Sequence, residues 1–124
     1  MIRSYLTDRY TNEVHLLALG LTWIGRGPRV EVLALGTSRT HCALVAGEEG
    51  RVLSNDLGSK KGTRVDELRI ERTEHVAPGR SIQVGQKCFV LGQVDLSDVG
   101  AEQRALIMSR RVFQALVAEG RQSA

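Results

Sequence analysis

Residues 38–63 read SRTHCALVAGEEGRVLSNDLGSKKGT, and the fold is decided here. Two short apolar runs, 41–46 and 51–55, flank Gly47-Glu48-Glu49-Gly50, a loop rich in turn formers between runs of strand length. That is the pattern of a β-hairpin. The hairpin is bracketed by two polar clusters. Ser38-Arg39-Thr40-His41 precedes it, and Asp56-Leu57-Gly58-Ser59-Lys60-Lys61-Gly62-Thr63 follows it. Each cluster joins a turn-forming Gly or Ser to a cation, so both belong on loops.

The hairpin pattern continues on both sides. From Val14 to Val94 short apolar or alternating runs are punctuated by Gly, Pro, Asn and Asp, which predicts a many-stranded antiparallel sandwich. The expected strands are 15–19, 22–25, 30–35, 41–46, 51–55, 63–65, 71–76, 81–84 and 87–93, and Val84-Gly85-Gln86-Lys87 is a second hairpin turn. At 124 residues and 42% hydrophobic content there is material for one packed core and not for two domains. The only aromatics are Tyr5, Tyr10, Trp23, Phe89 and Phe113, so the core is expected to be aliphatic.

A third cluster, Ile24-Gly25-Arg26, ends an expected strand. Guanidinium groups offer a planar fork of donors, a serine hydroxyl rotates to suit its partner, and loop backbone adds N–H donors. Together they match the oxygens of a phosphate. In order and approximate spacing, Gly25-Arg26, Ser38-x-x-His41 and Asp56-x-x-Ser59 through Gly62-Thr63 resemble the forkhead-associated (FHA) family. So do Leu68-x-Ile70, Pro78-Gly79-x-Ser81-Ile82-x-Val84-Gly85 and Phe89-Val90-Leu91, and the resemblance covers about residues 14 to 94.

The resemblance implies an all-β sandwich of eleven strands that reads phosphothreonine with loops at one end. It implies that Arg26 and Ser38 hold the phosphate, that Arg39 contacts phosphate or peptide, and that Lys60 lies in the phosphate-side loop. Gly25 would permit a turn, His41 would brace the loops through hydrogen bonds, and Gly62 would support the site. Lys61 stands where the family usually has Asn, and an ammonium has donors but no acceptor, so it cannot replace both sides of an amide. The implied partner is a Thr-phosphorylated protein, a Ser/Thr kinase or its substrate. A phosphate-independent scaffold that kept the sandwich is the alternative reading.

Other classes fit poorly. With 17 basic against 14 acidic residues the surface is mixed, and no row of aromatics is available for stacking bases, so no nucleic-acid partner is expected. Gly58-Ser59-Lys60-Lys61-Gly62-Thr63 lacks the spacing and the terminal Lys-Ser/Thr of a P-loop. Ser38, His41 and Asp56 have the residue types of a hydrolase triad, but nothing supplies a nucleophile elbow. No catalysis, cofactor or metal is expected. Cys42 and Cys88 lack metal-ligand spacing and are expected to be reduced thiols. The N-terminus carries charges where a signal peptide needs apolar residues, and no apolar run approaches the roughly 20 residues of a membrane span. A cytoplasmic protein is expected.

The chain then divides into a polar segment 1–13, an FHA domain 14–96 and an amphipathic C-terminal α-helix 97–120. The helix is expected from Ala, Leu, Gln, Glu and Arg at helical spacing, with Ser97 or Asp98 as cap and Gly120 as stop. Its apolar face, Ala101, Ala105, Met108, Val112, Ala115 and Leu116, would cover the chain's own sandwich or pair two chains as a homodimer.

Overall fold

A computed structural model describes residues 2–27, 30, 32–34, 36–39 and 41–97. Eleven strands in two sheets, and no helix, make up these described residues. In chain order they are β1 (Ile2–Asp8), β2 (Val14–Leu16), β3 (Gly20–Gly25), β4 (Val32–Leu33), β5 (Cys42–Ala46), β6 (Val52–Asp56), β7 (Thr63–Val65), β8 (Leu68–Arg69), β9 (Glu74–Val76), β10 (Ser81–Val84) and β11 (Lys87–Asp95). One sheet has the order β2-β1-β11-β10-β7-β8 and the other β4-β3-β5-β6-β9. Every pairing is antiparallel except β3 with β4. The expected C-terminal helix lies outside the described residues.

The expected hairpin is present. Cys42 pairs with Asp56 and Ala46 with Val52, a register that puts Cys42, Leu44, Ala46, Val52 and Ser54 on the inner face. Leu6, Ile24, Ile82, Phe89 and Leu91 meet them from the neighbouring strands in one cluster between the sheets. Among the described residues Phe89 is the only aromatic in that cluster, which is otherwise largely aliphatic.

Two strands were not among the nine placed from the apolar runs. Residues 2–8, within the stretch set aside above as a polar segment, form β1 and pair along their whole length with β11. β8 is a two-residue strand closing a tight turn after β7. Expected strand 15–19 is Val14–Leu16 and 71–76 is Glu74–Val76, and of 30–35 the described residues form the strand Val32–Leu33. The outer strands β2, β4, β8 and β9 have only two or three residues each. Short edges expose little unpaired backbone, which limits edge-to-edge association.

Candidate functional site

The loops at the β3, β5 and β6–β7 end of the sandwich come together through the backbone. Past Gly25 the backbone stays bonded to the loop before β5: the Arg26 N–H donates to Ser38 O at 3.1 Å and the Gly27 N–H to Arg39 O at 3.0 Å. This places Arg26 beside Ser38 and Arg39. Such an approach is open only to glycine at position 25, because a Cβ there would sit 2.2 Å from Arg39 O. Close packing is therefore what this glycine provides, and it does so as the last residue of β3.

His41 locks the second loop to the third. Fully buried, its ring accepts the Ser38 N–H at Nδ1 (3.1 Å) and meets Gly62 O at Nε2 (2.7 Å). A ring nitrogen that accepts an amide proton carries none, so the proton is on Nε2 and is donated to Gly62 O. Asp56 Oδ1 lies 4.0 Å from Nε2, too far to compete.

The third loop closes on Asp56. Its carboxylate accepts the N–H groups of Gly58 and Ser59, both at 3.1 Å, and the hydroxyls of Ser59 and Thr63 at 2.5 and 2.8 Å. The Ser59 hydroxyl accepts the Gly62 N–H at 2.9 Å. Burial by itself would raise the Asp56 carboxyl, but the hydrogen bonds from Ser59 and Thr63 outweigh it and hold the group below its ordinary value. Ser59 and Thr63 were quoted in the sequence but not singled out, although Asp followed by Ser three residues on is a turn signal.

These three loops surround an open pocket of about 310 Å³ lined by Arg26, Ser38, Arg39, Lys60 and Lys61, with Gly36, Thr37 and Gly58 between them. All five residues expected at the site thus share one pocket. Its volume is at the low end for ligand sites, roughly 300–1,000 Å³. Four cations line it and no carboxylate does, since Asp56 is turned into its own loop. Ser38 Oγ accepts the Lys60 N–H at 3.3 Å, leaving the hydroxyl proton available to a ligand. Among the described residues neither Arg26 nor Arg39 has an acidic partner within ion-pair distance.

Lys61 reaches across the pocket, its Nζ 3.5 Å from Gly36 O. The ammonium thus preserves a donor link between two loops, at the long limit of a hydrogen bond, and supplies no acceptor.

Little else at this end offers other chemistry. Among the described residues no cluster of His, Cys, Asp and Glu could hold a metal ion. Both cysteines are free, and burial pushes the Cys42 thiol up to about 11, far from a reactive thiolate.

The loops of this two-sheet sandwich gather cations and a hydroxyl at one end, a donor set suited to an anion. The chain belongs to the FHA domain family, whose pattern matches residues 22–85, just over half of its length. No curated protein matches it. Among solved structures it is similar to the FHA domain of the CT664 protein from Chlamydia trachomatis, with 26% identity, a TM-score of 0.69, and coverage of 75% of this chain and 99% of that one. It is also similar to Mycobacterium tuberculosis EmbR in complex with a low-affinity phosphopeptide, at 25% identity and a TM-score of 0.67, covering 73% of this chain and 24% of that one. The N-terminal FHA domain of S. cerevisiae Rad53p, in complex with a phosphothreonine peptide, shares the fold at 18% identity and a TM-score of 0.62, with 73% of this chain and 92% of that one covered.

Proposed function

We propose that this chain is a cytoplasmic signalling adaptor that binds a partner protein through a phosphorylated threonine, the partner being a Ser/Thr kinase or its substrate. The observation that carries this reading is the convergence of Arg26, Arg39, Lys60 and Lys61 around a Ser38 hydroxyl with an available proton. Arg26 and Ser38 hold the phosphate, Arg39 and Lys60 add charge from either side, and Lys61 faces the peptide. Gly25, His41 and Gly62 keep the loops in place. The complexes of EmbR with a phosphopeptide and of Rad53p with a phosphothreonine peptide support the same chemistry.

Hydrogen bonds to a charged group contribute about 1.5–3 kcal/mol each. Replacing Arg26 by Ala should therefore weaken binding of a phosphothreonine peptide by at least roughly 2 kcal/mol, about 30-fold. Calorimetry measures this directly, and equal affinity of parent and variant would remove Arg26 from the phosphate site.

A second reading, a phosphate-independent scaffold, is favoured by one observation. Leu21 and Val45 are paired on the outer face of the five-stranded sheet and remain 53% and 43% exposed. In that reading, unphosphorylated partner binds as well as phosphorylated, and a homodimer through the 97–120 segment is lost on truncation before Ser97, as light scattering would report.

A further inference from the structure

The β7–β8 hairpin carries a charge arrangement that the phosphate pocket does not use. Arg64 on β7 is directly opposite Arg69 on β8. The Ile70 N–H donates to Thr63 O at 2.9 Å, which makes Thr63 and Ile70 a hydrogen-bonded pair. By the alternation of an antiparallel ladder, Arg64 and Arg69 form a non-hydrogen-bonded pair, the kind whose side chains stand closer. Like charges in that position oppose folding. On the other side of Arg64 the register partner is Gln83, which is uncharged. Glu67 and Glu71 are near in sequence, yet among the described residues no carboxylate makes an ion pair with either guanidinium.

The pair is not remote from the pocket. Arg69 leans along the hairpin over Gly62, where a Cβ would meet its Nε at 2.6 Å and its Cζ at 3.0 Å. Gly62 follows Lys61 in the chain, and its carbonyl is the group that anchors His41. A ligand leaving the pocket past Lys61 would therefore meet the forks of Arg69 and Arg64.

We infer that Arg64 and Arg69 form a second anion site, which takes an acidic side chain, carboxylate or phosphate, of the same phosphothreonine-bearing ligand. A planar fork on each side suits the two or three oxygens of such a group, and binding relieves the repulsion between the forks. This inference rests on the reading of the pocket as a phosphothreonine site.

The test uses the whole chain and synthetic peptides: one phosphothreonine in an alanine background, then a series with a single Asp or phosphoserine scanned along the positions flanking it. At one position the acidic peptide should bind at least about fivefold tighter than the alanine peptide, and that ratio should fall to near one in both Arg64→Gln and Arg69→Gln. A larger gain for phosphoserine than for Asp identifies phosphate as the preferred group, and an equal gain identifies charge alone. Absence of any gain, or its survival in either variant, overturns the second site and leaves the pocket assignment standing. If the alanine phosphopeptide binds no better than its unphosphorylated form, the pocket reading fails and this inference falls with it. Thermal unfolding adds an independent check: Arg64→Gln should unfold at the same or a higher temperature, and a lower one would show the pair to be structural.

Discussion

Lys61 and Glu67 are the residues whose identities depart most from what their positions ask for. An ammonium at Lys61 adds long-range attraction for an anionic ligand and contributes a single long donor contact to Gly36 O at 3.5 Å. Long-range attraction is screened by salt, whereas an amide's directional hydrogen bonds are not. Lys61→Asn should therefore bind phosphothreonine peptides with less dependence on ionic strength, and more tightly than the parent at 0.5 M salt, where the Debye length is about 4–5 Å. Parallel salt curves would show that Lys61 contributes no steering. Glu67 sits in the two-residue turn between β7 and β8, where φ is 48° at Asp66 and 73° at Glu67. Such a turn needs left-handed backbone at both positions, and glycine is the natural occupant of the second. Glu67→Gly should stabilise the fold by about 1 kcal/mol, read from urea unfolding.

The site's elements were more legible than their supports. Arg26, Ser38, Arg39, Lys60 and Lys61 could be read because each is a cation or hydroxyl beside a turn signal, in a recognisable order. The Ser59 and Thr63 hydrogen bonds to Asp56 were not predicted, since only the folded loop brings those hydroxyls onto one carboxylate. β1 escaped for a related reason. Its inward residues are Ser4, Leu6 and Asp8, so two of three are polar and the apolar period is broken. Asp8 is tolerated inside because Lys87, 79 positions away, donates to it at 2.8 Å. Burial raises the Asp8 carboxyl, and hydrogen bonds from Lys87, Tyr10 and Thr11 more than reverse this, so it is held low, as Asp56 is. A carboxyl with a lowered folded value adds stability that is present above its unfolded value of about 3.9 and is lost as pH falls through the folded one. Unfolding free energy should thus drop below about pH 4, and Asp56→Asn should flatten that decline. A decline of unchanged steepness would mean that the Asp56 hydrogen bonds do not differ in strength from those to water.

At the scale of the molecule the sandwich is a platform whose core reaches the loop end through Ile24 and Cys42, next to Gly25 and His41. Phe89, 1% exposed, is the largest side chain of that core and sits on the long central strand β11. Phe89→Ala should cost about 3–5 kcal/mol, a large part of the stability of a domain this size, and should abolish ligand binding only through unfolding. Chemical denaturation and binding at low temperature separate the two effects. The two-sheet architecture was readable because turn formers recur at short intervals between apolar runs. The order of strands within each sheet was not, because it depends on pairings such as β1 with β11 that join distant parts of the chain. In the proposed function the loop end reads a phosphate on threonine. Its most direct test is calorimetry of the whole chain against one peptide made with threonine, phosphothreonine or phosphoserine. Phosphothreonine peptide binding at least about tenfold tighter than the unphosphorylated form, and tighter than phosphoserine, is the expected result; equal binding of the threonine and phosphothreonine peptides would contradict it.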